Sequence, residues 1–386
     1  MNTQTQEKEH SGKLQRREFF QMLGTGALGL ALAGGGSLRA AEMGAAANAT
    51  ARPRSGPKQM RGIFPIAQTP FTEDDKLDLE SLAAQVTFCN RGGVHGFVWP
   101  QIMSGWTALS EPERIAGAEA ILAAGKGGAT TLVIGVQSKE GNIAEVERYA
   151  KHAAKNGADA LVSLPLPGVS DEKVLLDYYQ QVGKMTDLPL FMQTQENMSV
   201  DLVVEIYKTV RTARYAKDEA NAGGGALQRI AEIRRRTNDE MKVFSGQGVR
   251  TMVTEMELGF SGHCPTLALA DVYAAAFDLW HAGKRQEAFD MFGRILAFNS
   301  LGTTGRNSMM IVRGVFKPTV RSRNTPLPPG VEAAPEPGAG GGRGGAGGRG
   351  GGRGGGAAGG AGASLQLDDQ GVREALNNYL KPYLRA

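Results

Sequence analysis

Cysteine is nearly absent. Cys89 and Cys264 are the only two in 386 residues, each in an apolar stretch, which excludes a disulfide framework and a cysteine metal site and leaves two buried thiols. Histidine is scarce too, with five in all; of these only His263 falls near the expected pocket, and no second ligand stands at metal-binding spacing. No metal and no cofactor are therefore expected, and His263 reads as a satisfied core histidine. Long hydrophobic runs are missing too. The most apolar stretch, 22–33, is short and glycine-rich, too short to be a comfortable transmembrane helix. The formal charge of +4 is small for the length and comes partly from Arg343, Arg349 and Arg353 in a glycine tract, so it implies no nucleic-acid-binding surface. That tract also lacks the interleaved aromatics of an RNA-binding segment.

What is present is divided unevenly. Lys13, Arg16 and Arg17 precede Glu18, Phe19 and Phe20, then the weak apolar stretch, then small residues around Ala40 and Ala41. A basic segment, a short apolar segment and small residues make an export signal, and paired arginines followed by two phenylalanines resemble the twin-arginine type, which carries folded proteins. No cysteine near the cleavage region offers a lipid anchor. The reading is a signal over 1–41, a linker over 42–60, one folded domain over 61–323, a Pro/Gly-rich flexible insertion over 324–363 and a C-terminal helix within 364–386, in a periplasmic or secreted protein with no stable membrane anchor.

Within the folded domain, apolar runs of strand length alternate with amphipathic stretches about every 25 to 35 residues, the pattern of parallel β/α units. Strands are expected at 62–69, 96–100, 131–136, 160–164, 190–193, 213–217, 242–245 and 261–266. Stretches such as Leu79-Leu82-Val86 and Val203-Ile206-Val210 repeat at helical spacing, and Ser199 marks a helix start. Eight units in one domain indicate an α/β fold of the (β/α)8 TIM barrel type with additional C-terminal helices. A doubly wound sheet fits less well, since no G-x-G-x-x-G follows the first strand.

In such a barrel, chemistry gathers at the C-terminal ends of the strands. Lys217 stands at one, closing the run Ala213-Arg214-Tyr215-Ala216-Lys217. Period-two alternation turns Tyr215 and Lys217 into the barrel and Arg214 and Ala216 toward the helices. A lysine amine in a partly dry pocket can lose its proton and attack a ketone, which makes Lys217 a candidate for Schiff-base chemistry.

The chain resembles the dihydrodipicolinate synthase and N-acetylneuraminate lyase family of class I aldolases over about residues 62–320. The resemblance rests on Gly62-Ile63-Phe64-Pro65-Ile66-Ala67-Gln68-Thr69-Pro70-Phe71 with Asp74, Leu77 and Asp78; on Asn156-Gly157-Ala158-Asp159-Ala160-Leu161; on Asp187-Leu188-Pro189-Leu190; and on Phe244-Ser245-Gly246 with Gly259-Phe260-Ser261-Gly262. Tyr215-Ala216-Lys217-Asp218 falls where the family carries its Schiff-base lysine. The resemblance implies an imine between Lys217 and a small 2-oxo acid, with a homo-oligomer as a further possibility. The departures are specific. Where the family has a Gly-Thr-Thr-Gly-Glu type turn that holds the substrate carboxylate, this chain has Pro100-Gln101-Ile102-Met103-Ser104-Gly105-Trp106, leaving Ser104 and Gln101 as stand-ins. The tyrosine that relays protons, expected after the fourth strand, is replaced by Leu164-Pro165-Leu166-Pro167-Gly168. Tyr178 and Tyr179 follow on a helix and are expected to pack.

Tyr215 is the candidate replacement relay, since it alone among the nearby strand-end residues can act as an acid or base. Gln193, Ser245 and Gln247 complete the expected substrate-binding set, with Gln195 and Ser163 in support. Two functions fit: an exported lyase or aldolase that forms an imine at Lys217, or a catalytically lapsed barrel that binds a carbonyl or acidic small molecule in the periplasm. Lysine biosynthesis fits poorly, because export would separate the enzyme from its intermediates.

Overall fold

The computed structural model describes residues 57–220, 226–246, 249–301, 305–323 and 369–386. The expected leader, most of the linker, the Pro/Gly-rich insertion and Gln247 lie outside the described residues. Eight parallel strands form the sheet: β1 (Gly62–Ile63), β2 (Gly96–Trp99), β3 (Thr131–Gly135), β4 (Ala160–Ser163), β5 (Leu190–Thr194), β6 (Tyr215–Asp218), β7 (Lys242–Ser245) and β8 (Gly262–His263). Each of β2 to β7 pairs with the next, and β8 lies between β7 and β1. The ring is completed by a bridge between Ile66 and Val98, where Ala67 N–H donates to Val98 O at 3.0 Å and Val98 N–H to Pro65 O at 3.1 Å. This is the (β/α)8 barrel that the alternation predicts.

Strand ends differ from expectation for local reasons. β1 and β8 are shorter than 62–69 and 261–266 because Pro65 and Pro265 donate no ladder hydrogen bond; Phe64 and Ile66 continue the pairing outside the regular ladder, on His263 O and Pro265 O. β6 starts later than 213, because Ala213 and Arg214 donate to Val210 O and Thr212 O in a turn. It also runs one residue past Lys217.

Helices α1 (Leu79–Gly92), α2 (Glu111–Ala124), α3 (Ile143–Lys155), α4 (Glu172–Val182), α5 (Val200–Thr209), α6 (Ala226–Arg236) and the short α7 (Met252–Glu257) fill the connections between the strands. Their starts are chemically marked: Asp78, Ser110, Asn142, Asp171 and Ser199 each accept a hydrogen bond from the first turn, satisfying amides that have no intrahelical partner. Then come α8 (Ala270–His281), α9 (Arg285–Asn299), α10 (Gly305–Val312) and α11 (Asp369–Ala375). α11 packs on α10, and the turn after it packs on α9, burying Val372, Leu376 and Leu380.

Alternation divides the core into two layers. Phe64, Ile66, Val98, Val133, Ala160, Val162, Phe191, Phe244 and Cys264 fill the barrel, with Met60, Met103 and Tyr215 against them; the residues between them face the helices. The last linker residues are held to the barrel as well: Lys58 Nζ donates to Asp159 Oδ2 at 2.7 Å, and Thr131 Oγ1 to Gln59 O at 2.9 Å. Tyr178 and Tyr179 are buried, the first bonded to Ser163 Oγ at 2.7 Å and the second to Ser163 O at 3.3 Å, so both tie α4 to β4 as packing residues.

Candidate active site

Lys217 lies at the C-terminal end of β6 and is 3% exposed. The register sets it beside Gln193 of β5 and Phe244 of β7. Both Phe191 and Phe244 belong to the interior layer, so period two turns Gln193 and Lys217 inward together. The same alternation carries past the strand to Glu219. Its carboxylate reaches Lys217 Nζ at 2.5 Å through Oε1 and accepts from Gln193 Nε2 at 2.5 Å through Oε2. Gly246, just after β7, leaves the space: a Cβ there would stand 2.2 Å from Glu219 Cγ. Gln193 is fully buried and its Oε1 has no partner among the described residues. Cys264 lies close enough to feel the lysine, yet burial pushes its thiol up to about 12, so it remains a neutral, inert neighbour.

Asp218 points the other way. Its carboxylate is wholly buried among the helices, where it accepts from Arg229 Nε of α6 at 2.9 Å and from Thr194 Oγ1. Burial raises its proton affinity, against the opposing pull of Arg229 and Thr194. The pair clamps β6, and with it Lys217, to β5 and α6.

The remaining candidates divide. Tyr215 is in the barrel one layer below Lys217, stacked on Phe191 with ring centroids 4.7 Å apart; burial raises its hydroxyl above the ordinary tyrosine value, which weakens it as an acid. Ser104 Oγ donates to Ala67 O at 2.7 Å and accepts from Gln101 N–H at 3.1 Å, so its hydroxyl is spent on holding the turn after β2. Gln101 is fully buried, and neither side-chain amide atom has a partner among the described residues. Met103, in the same turn, lies against the apolar interior. Ser245 faces the helices: its Oγ donates to Glu255 Oε1 at 2.7 Å, and Glu255 Oε2 meets His263 Nδ1 at 2.7 Å. His263 is thus half satisfied, since its Nε2 has no partner among the described residues. The structure therefore joins Lys217 to Gln193, leaves Tyr215 a layer below, and sends Ser245 to the opposite side of the sheet.

Glu219 is the residue that sequence reasoning missed. With the strand ended at Lys217, Asp218 and Glu219 read as a polar loop, although positions 215, 217 and 219 already share one face by period two. Among the described residues, no group of three or more His, Cys, Asp or Glu side chains could hold a metal.

The sequence profile of the dihydrodipicolinate synthetase family matches residues 59–336. The chain belongs to that family. It is 29% identical over 199 residues to a 4-hydroxy-tetrahydrodipicolinate synthase from Methanosarcina mazei, an alignment covering 50% of this chain and 65% of the relative. The chain thus spans just under two thirds of the length of the first curated relatives it matches. Its fold matches the dihydrodipicolinate synthase of Rhodopseudomonas palustris with a TM-score of 0.61 at 21% identity, over 71% of this chain and 94% of the other. It also matches a prophage protein of the same family from E. coli K12, solved in complex with pyruvate, with a TM-score of 0.59 at 20% identity, over 72% and 94% of the two chains. At these identities the structural likeness establishes the barrel.

Proposed function

We propose that this chain is an exported lyase or aldolase that forms an imine between Lys217 and a small 2-oxo acid. The observation that carries the reading is the buried Lys217 amine at the mouth of a family barrel, 2.5 Å from a carboxylate able to take its proton. The pyruvate held by the E. coli relative supports a 2-oxo acid as substrate class. Gln193 Oε1 and the Gln101 amide, buried without partners among the described residues, offer polar groups to a ligand in place of the family's hydroxyl pair. Export rests on Arg16-Arg17-Glu18-Phe19-Phe20 and the weak apolar segment after it, and changing both arginines to lysine is expected to leave precursor in the cytoplasm; normal export of that variant would point to the general secretory route.

The chemistry follows from electron flow. Once the lysine nitrogen has added to the keto carbon and water has left, the iminium draws electrons from the neighbouring carbon, and a bond to that carbon can break or form. A hydrogen on that carbon becomes exchangeable. Pyruvate incubated with the protein in D2O is expected to lose its methyl proton signal, and Lys217→Ala should stop the exchange. Absence of exchange with pyruvate and its near homologues would favour the second reading, a barrel that binds a carbonyl or acidic small molecule without turnover. Met103 against the interior and the fully engaged Ser104 hydroxyl are the observations on that side.

A further inference from the structure

Imine formation moves several protons. Lys217 must give one up to become a nucleophile, and the oxygen of the carbonyl must gain two to leave as water. In this barrel the turn after β4 carries no tyrosine for this work, and Tyr215 is stacked in the apolar layer with its hydroxyl made less acidic by burial. A carboxylate is already in contact with the reacting nitrogen. We propose that Glu219 is the acid–base catalyst of Lys217, with Gln193 as the residue that positions it. The proposal rests on the imine reading above and adds a residue to it.

Three independent features place the carboxylate for this task. Glu219 Oε1 is 2.5 Å from Lys217 Nζ, within the reach a general base requires. Its other oxygen is fixed by Gln193 Nε2 at 2.5 Å, which leaves Oε1 directed at the amine. Gly246 empties the space that Glu219 occupies, since a Cβ there would lie 2.2 Å from Glu219 Cγ. An exposed lysine–carboxylate pair is commonplace on protein surfaces, but this amine is 3% exposed, where water is a poor substitute for a fixed proton acceptor.

The steps balance. Glu219 takes a proton from the Lys217 ammonium, and the neutral amine adds to the keto carbon as the carbonyl pair moves to oxygen. Glu219 returns that proton to the oxygen, giving a hydroxyl, then removes a proton from the nitrogen. It delivers this second proton to the hydroxyl as the C–O bond breaks, the nitrogen lone pair forms the C=N bond and water departs. The iminium that results faces the regenerated carboxylate, one positive charge against one negative, as at the start.

The test is the rate at which pyruvate becomes fixed to Lys217 on quenching with borohydride, followed by peptide mass across pH in wild type, Glu219→Gln and Glu219→Asp, with thermal melting as a control for folding. Glu219→Gln should slow fixation by about a hundredfold or more and flatten the limb of the pH profile that the carboxylate produces. Glu219→Asp, shorter by one methylene, should keep that limb and recover part of the rate, which a purely structural pair would not require. Wild-type rate and pH profile in both variants would overturn the role of Glu219 while leaving the imine at Lys217 intact. Failure of wild type to fix pyruvate, 2-oxobutyrate or 2-oxoglutarate at Lys217 would overturn both.

Discussion

Lys217 and Glu219 are two residues apart, and the chemistry proposed for this site depends on that spacing. In a strand, period two puts both on the inner face, so the sequence alone supplies lysine and carboxylate to one point without help from a distant loop. Tyr215 shares the face but occupies the layer below, against Phe191. Tyr215→Phe is therefore expected to leave the rate of pyruvate fixation within a few-fold of wild type; a fall of about a hundredfold would return the relay to Tyr215 and away from Glu219. Lys217 was legible because an isolated lysine closing an apolar run is a strong local signal. Glu219 was not, because strand and loop cannot be separated by polarity when the strand's own end is polar. Ser245 shows the opposite case, a strand-end hydroxyl whose neighbour Phe244 takes the inner face and so turns it toward Glu255.

The element that decides the site is β6, a four-residue strand held from outside by Asp218. Its carboxylate, buried with Thr194 and Arg229, fixes the strand that carries Lys217. Arg229→Met should cost about 3 kcal/mol at neutral pH, because it leaves a buried carboxylate without its cation. The sign of the pH dependence follows from Asp218, whose proton affinity is raised in the fold from an ordinary 3.8. A group raised in the folded state contributes stability that is fully present below its unfolded value and is lost as pH rises through the folded one. Removing Arg229 lifts that folded value further, so the deficit of the variant should narrow when urea melts are run at pH 5 rather than pH 7. An equal deficit at both pH values would show that lost packing, not the carboxylate, accounts for the cost. Element boundaries were less legible than elements: the alternation located all eight strands, but Pro65 and Pro265 shortened two of them and the Thr212 turn trimmed a third, effects set by single backbone donors rather than by hydrophobic pattern.

At the scale of the whole molecule, the barrel brings β5, β6, β7 and β8 together so that Gln193, Lys217, Gly246 and Cys264 surround one carboxylate. The fold was readable because eight β/α repeats leave few alternatives, and family membership follows from the profile match over residues 59–336. Substrate identity was not readable: by the resemblance the turn after β2 would hold the substrate carboxylate, and there Ile102 and Met103 stand where the family has hydroxyl residues. No helix among the described residues is long and apolar enough to cross a membrane. The proposed chemistry requires a covalent bond at one nitrogen, Lys217 Nζ. Borohydride reduction in the presence of a panel of 2-oxo acids, read by peptide mass spectrometry, is expected to add the mass of the reduced substrate to the peptide containing Lys217, and Lys217→Ala should carry no adduct. An unlabelled Lys217 across the panel, or a label that persists in Lys217→Ala, would contradict it.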